Sequence, residues 1–564
     1  MTVAEAQGEG LATALERWMH GDGVPDLRQG VEAFIDRLLS EDDPEGKVAA
    51  LSPEVFYHLV EEVGIENAQA LVALATAEHW HHAIDLVGWR RDHFLPRALE
   101  PWLGALISAD NARFSRTYYA LDAELLLLYL KCQVEMVVIE DFDAGPPPTA
   151  EDEAPWETSP DGAFWLRYPE EADSAALCRA LVAKVYDALG VEAAWTLFNG
   201  VVWELASDLE ETLFRFRSAR LEDYGFVSLD EAGQIFHRID PEAIKEEVGR
   251  LSDGYVVQVS MPEGRGLGLA DALTGLAQSA DFLGARISEL DAAGWSVVVP
   301  QLMALARKVL VVRGHDFGDR TAQADAMGYA WGCTALGLEY CSQADPVQAR
   351  RALQAIPLRV LFQAGFSMLA RLRDKAVAIV QRGRLTIVEG QLLSLLLDDE
   401  RDLILGLMQP RPVRSEMTQR PFSRCADFDQ AALVVADVAF KEVLFYGVLG
   451  VTKEDLVAAA LSASPEQGIT RISFETLFAT YAWRCAQGHG SFVALPAQEH
   501  PEAASLRDAI EAWTLERVLP GRTTRVMQAA ARRFIRRVGE ESYQALLQAP
   551  RPLDPRFVTA LLLA

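Results

Sequence analysis

The chain has 564 residues, half of them apolar and 24% charged. These proportions exclude a disordered chain, a fibre or a low-complexity polymer. Residues 1–250 hold 48 acidic against 19 basic side chains, a balance of −29, whereas residues 251–564 hold 34 against 33. An acidic field of this kind disfavours nucleic acid and anionic membrane surfaces as partners. It favours solubility, or docking on a basic partner.

The first residues, MTVAEAQGEGLATALERW, lack a basic segment followed by an apolar one, so no secretory signal is expected. The longest apolar stretch, GWSVVVPQLMALA (294–306), contains Pro300 and stops at Arg307, too short for a membrane span. Six cysteines without a CxxC pair read as reduced thiols. The expected compartment is the cytoplasm of a bacterium-like cell.

In chain order, helix dominates. EVFYHLVEEVG places Val55, Phe56, Leu59, Val60 and Val63 on one face. Residues 51–89 read as helix, glycine turn, helix, short break, helix, and residues 345–380 repeat that rhythm. Ser52-Pro53, Asp240-Pro241, Asp345-Pro346 and Ser464-Pro465 each set a capping side chain before a proline at the first helical position. Ser228–Glu231 and Thr452–Asp455 have capping-box spacing, and Gly64, Gly190 and Gly450 fit helix ends. Residues 133–168 break the pattern. QVEMVVIED and FWLRY read as two short strands flanking a long acidic loop stiffened by Pro146–Pro148. A further strand is expected at 254–260. The fold class is mainly all-α: stacked helical hairpins, irregularly solenoid-like, with a small β insertion around 133–168. The divisions are 1–132 (helical hairpins), 133–168 (strand pair and acidic loop), 169–250 (a helical region) and 251–564 (helices ending in an Arg-rich amphipathic helix).

Residues 201–240 contain EETLFRFRSARLEDYGF followed by DEAGQIF. This segment, with LSPEVFYHLVEEVG, DLVGW and the SPDG that ends the acidic loop, resembles a family of large uncharacterised bacterial proteins, a domain of unknown function. The resemblance runs mainly over residues 51–240 and implies no activity. Residues 51–100 also have a fold-level likeness to the helical repeats of magnesium-transporter cytoplasmic domains and flagellar-motor switch proteins, which carries no functional weight alone.

Three groups carry candidate chemistry. Five of the ten histidines fall between residues 58 and 93. Glu78 and His81 have the Glu-x-x-His spacing used by metal-binding bundles, which need two such motifs where one is present. Glu54, His58 and Asp85 complete a conceivable set for a divalent metal; packed or surface histidines are the plainer reading. In the 201–240 segment, Glu211 and Arg215 are an i,i+4 ion pair and Arg217 and Arg220 follow, so the four form either a salt-bridged helix or a polar groove. Finally, GRTTRVMQAAARRFIRRVG holds Arg522, Arg525, Arg532, Arg533, Arg536 and Arg537 opposite an apolar stripe. That helix pairs with the acidic first half, docks another acidic protein or is simply solvated, or binds nucleic acid or lipid. The glycines of 263–271 lack dinucleotide or P-loop spacing.

The reading favoured is a non-catalytic cytoplasmic scaffold or adaptor in protein–protein interaction, without a resident cofactor. One alternative is a metal-dependent enzyme or metal-binding regulator using Glu78/His81 with Glu54/His58. Another is nucleic-acid or membrane-surface binding through the Arg-rich helix.

Overall fold

The structure, a computed structural model, describes residues 27–140, 145–148, 154–223, 226–251, 276, 281–290, 292–314, 317, 319–386, 395–464, 472–496, 501–521, 523–549, 553–556, 558 and 560–564. Outside these lie Arg522, the 254–260 strand, the 263–271 glycines, Pro465, and residues 141–144 and 149–153 of the acidic loop.

The first half opens with α1 (Leu27–Leu39), α2 (Pro44–Ala49), α3 (Pro53–Val63), α4 (Gln69–Val72) and α5 (Ala77–Val87). A short hairpin follows, β1 (Trp89–Arg90) and β2 (His93–Phe94), then α6 (Glu100–Ser108), α7 (Asn111–Ala120) and α8 (Ala123–Gln133). The expected strand pair is present as β3 (Glu135–Val138) and β5 (Phe164–Arg167), antiparallel with Met136 opposite Leu166. A two-residue β4 (Glu157–Thr158) joins the other edge of β5, giving the order β3-β5-β4. Helices α9 (Ala172–Leu189), α10 (Val191–Trp203) and α11 (Ala206–Asp223) close this half.

The second half is helical. It runs through α12 (Leu229–Gly233), α13 (Pro241–Gly249), α14 (Phe282–Ile287), α15 (Ala292–Arg313) and α16 (Arg320–Cys341). Next come α17 (Pro346–Ala355), α18 (Leu358–Gln381), α19 (Asp398–Met408) and α20 (Cys425–Glu442), which continues as a π-helical turn, Val443–Val448. The chain ends with α21 (Lys453–Ser462), α22 (Phe474–Ala486), α23 (Ala503–Glu511), α24 (Leu515–Val518) and α25 (Arg525–Gln548). The fold is therefore mainly all-α with small β insertions.

Local signals set these boundaries. Ser52 accepts from the Val55 N–H, Asp345 from the Val347 N–H, and Thr452 and Asp455 cap each other. Such caps contribute about 1 kcal/mol each. Asp240 precedes Pro241 as expected, but makes no side-chain capping bond. No single described helix is long and apolar enough to cross a membrane.

Two apolar cores result. One runs from Ile35 to Leu221 and the other from Ile235 to Leu563. Phe226 and Phe317 pack against both, stacked with centroids 4.5 Å apart. Arg217, from α11, lies over both Trp89 of the first half and Phe317 of the second.

The second core is centred on α16 and α18, which cross at Gly337 and Gly365. A Cβ at Gly337 would overlap the Leu361 carbonyl oxygen, and one at Gly365 the Cys333 carbonyl oxygen. Only backbone fits there. Gly328 lies on the same helix α16 with open space around it. Gly337→Ala is expected to cost about 1–3 kcal/mol in urea unfolding. Gly328→Ala is expected to stabilise by up to about 1 kcal/mol through helix propensity. Equal effects would contradict the close crossing.

Candidate functional site

The histidine group lies where α3 packs on α5. Thr76 caps α5, and His79 occupies the reciprocal capping position: its Nδ1 accepts from the Thr76 N–H at 3.1 Å. Its Nε2 faces the Leu51 carbonyl at 3.0 Å, so Nε2 carries the proton and the ring is neutral. The ring stacks on Phe56 at 4.3 Å. Burial pushes its pKa down. Burial, with His58 and His79 nearby, pushes His82 down to about 4.

The five residues considered as metal ligands do not gather into one set. Glu54 and His58 are buried on α3, and Glu78 is exposed. His81 stands 3.7 Å from Asp122, its pKa lowered by burial and by Arg220. The Asp85 carboxylate is taken by Arg220, whose Nε and Nη2 donate to it at 2.7 and 2.9 Å. The same guanidinium reaches Asp122 at 2.9 Å. Burial works against the Arg220 charge, yet the two carboxylates hold its pKa above the ordinary range. Among the described residues no group of three His, Cys, Asp or Glu is arranged to hold a metal ion.

The four polar residues of α11 divide. Arg217 and Arg220 face inward, and Arg217 donates to the Asp85 carbonyl at 2.8 Å. Glu211 and Arg215 are exposed, and the i,i+4 pair expected from spacing is not closed among the described ion pairs. An exposed pair of that kind contributes only a few tenths of a kcal/mol. Glu210 is the acid used here, accepting from the Phe94 N–H at 2.7 Å.

A second ionic network lies beneath the Arg-rich helix. Lys441 of α20 is fully buried between two carboxylates, with Nζ 2.6 Å from Glu400 of α19 and 2.5 Å from Glu475 of α22. Arg537 of α25 reaches the same two carboxylates, at 3.1 Å for Glu400. Burial alone would raise the Glu475 carboxyl, but Lys441 and Arg537 hold it below its ordinary value. One turn earlier, Arg533 donates to both oxygens of Asp437. A groove of about 400 Å³ lies over this network, lined by Asp437, Arg533, Arg536, Arg537, Glu540 and Glu541. Among the described residues the Arg-rich helix therefore pairs with acids at 400, 437 and 475, within its own half, and with none of the acidic first half. Arg525, Arg532 and Arg536 face solvent.

A third feature carries no signal in residue type. On α10, Trp195 is 50% exposed and Trp203 72%, with Val191 and Leu205 also exposed. Trp195 is braced by an edge contact with Phe164 of β5. Glu192 on α10, Glu204 in the link after it, and Asp208 and Glu211 on α11 are exposed as well. Read along the sequence, both tryptophans are indistinguishable from core residues.

Two outcomes test the networks. His82 has a folded pKa below its unfolded value, so the unfolded chain binds the extra proton. Its contribution is present above about pH 6.5 and is lost as pH falls toward 4, by roughly 3 kcal/mol. Urea unfolding across that interval is expected to show the loss, and His82→Phe to flatten it. Lys441→Met leaves Glu400 and Glu475 with one cation fewer and is expected to cost about 3–5 kcal/mol. The exposed Arg536→Gln is expected to stay within about 0.5 kcal/mol.

The chain belongs to a family of unknown function (DUF6178), whose model matches residues 29–564. No curated protein and no solved structure matches it.

Proposed function

We propose that the chain is a cytoplasmic, non-catalytic scaffold or adaptor that docks a protein partner on the α10–α11 face. The observation that carries this reading is the exposure of Trp195 and Trp203 on one helix. Tryptophan is among the residues that most often dominate binding energy at interfaces, and each ring brings a large apolar area to a contact. The two lie eight residues apart, about 12 Å along the helix. The exposed acids Glu192, Glu204, Asp208 and Glu211 on the same two helices and their link favour a partner that presents cationic side chains. The inward polar groups support the same reading. Asp85, Asp437, Glu400 and Glu475 each hold an arginine or lysine, so these acids serve to fix helices to one another.

The test is co-purification with tagged full-length chain from cells that carry it naturally, beside a Trp195→Ala/Trp203→Ala variant. A stoichiometric partner bound by the wild type and lost by the variant is expected, with the variant still folding cooperatively at a cost of about 1–3 kcal/mol from the half-buried Trp195. An eluate identical for both proteins would overturn the reading. So would about one metal ion per chain that disappears in His81→Ala, which would move the function to α3 and α5.

A further inference from the structure

Two surfaces of the chain are complementary to each other. On α11 and the turn before it, Glu204, Asp208 and Glu211 follow at i, i+4 and i+7, all exposed beside Trp203 and Leu205. On α25, Arg525, Arg532 and Arg536 follow at i, i+7 and i+11, also exposed, with Val526 exposed next to Arg525. Among the described residues none of these six charges closes an ion pair. The neighbouring Arg533 and Arg537 are held by the half-buried Asp437 and the buried Glu400 and Glu475 carboxylates, which fixes the rotation of α25 and keeps the other three arginines outward.

The spacings agree. On α11 Asp208 and Glu211 are three residues apart, and on α25 Arg532 and Arg536 are four apart, about one helical turn in each case. Helices laid side by side can therefore close two charge pairs together, and a guanidinium is a good occupant for the face of an indole ring. The charge layout selects the orientation. Two acidic halves repel, since each carries −29, whereas residues 251–564 are near neutral at 34 acids against 33 bases and present the arginines. A head-to-tail contact sets the acidic half of one copy on the near-neutral half of the next and keeps the two acidic halves apart. At physiological ionic strength, with a screening length of about 8 Å, pairs in contact outweigh the repulsion of distant charges.

We propose that the α10–α11 face receives the Arg525–Arg532–Arg536 stripe of a second copy of this chain. This rests on the reading of that face as a docking surface and names its occupant. Such a contact is heterologous: each bound copy still offers one face of each kind, so assembly continues until a ring closes.

Sedimentation velocity of the purified full-length chain at physiological ionic strength tests this. The wild type is expected to gain mass with concentration. Arg525→Gln/Arg532→Gln/Arg536→Gln and Trp195→Ala/Trp203→Ala are each expected to weaken association about tenfold or more. Mixing these two variants restores one good contact per pair, so a species of two chains and nothing larger is expected. A wild type that stays monomeric at every concentration overturns the proposal, as does an oligomer that persists in both variants. A monomeric wild type that binds RNA or anionic vesicles through the arginines also overturns it. If the chain is monomeric while co-purification still loses a partner in the tryptophan variant, the adaptor reading stands and the self-contact falls.

Discussion

A fully buried ammonium must be neutralised where it sits. Lys441 has no exposed surface, and Glu400 and Glu475 meet it from two other helices. Arg537 then closes the set from a fourth, α25. Four helices that are distant in sequence are thereby fixed at one point, and α25 has one rotation that satisfies the network. Everything α25 displays outward follows from that rotation. The apolar side chains Phe534 and Val538 enter the core, Arg533 turns to Asp437, and Arg532 and Arg536 are left to solvent. Replacing such a network by apolar residues is often tolerated, whereas removing one member is not. The network thus specifies how the helices are arranged more than how stable they are.

The first half uses the same device with different residues. Asp85 is buried at the end of α5, and Arg220 of α11 grips both of its oxygens while also reaching Asp122 ahead of α8. Arg217, one turn earlier, holds the Asp85 carbonyl and presents its flat face to Trp89 and Phe317. One segment of α11 therefore fixes the inner helices of the first half and also touches the second. Its opposite face carries the exposed acids. The inward and outward roles of α11 are set by the same helical phase, as they are on α25.

The sequence was most informative where the physics is local. Proline-preceded caps, glycine ends and apolar periodicity placed α3, α17, α18 and the β3–β5 pair, because each depends on residues within a few positions. The Arg-rich helix was legible as amphipathic, but its partners were not. Glu400 lies 41 residues before Lys441 and Glu475 lies 34 after it, and no spacing rule connects them. The Glu78–His81 spacing suggested ligands. In the fold His79, between them, serves as a cap and a stacking ring, and Asp85 is held by an arginine contributed from 135 positions away. Trp195 and Trp203 were illegible for a different reason: an apolar residue on a helix reads as core until the neighbouring elements are known to leave it bare.

The seam at Phe226 and Phe317 bears on how the chain can be divided. Each half has its own core, so a cut in the short link between Leu221 and Ile235 would look natural. Yet the first piece would lose Phe317, leaving the guanidinium of Arg217 with one aromatic face instead of two and the ring of Phe226 without its stacking partner. The second piece would lose the first-half surface that Phe317 packs on. The two halves therefore share contacts that a linker-separated pair of domains would not. The two cores are better regarded as lobes that share an aromatic joint at Phe226 and Phe317.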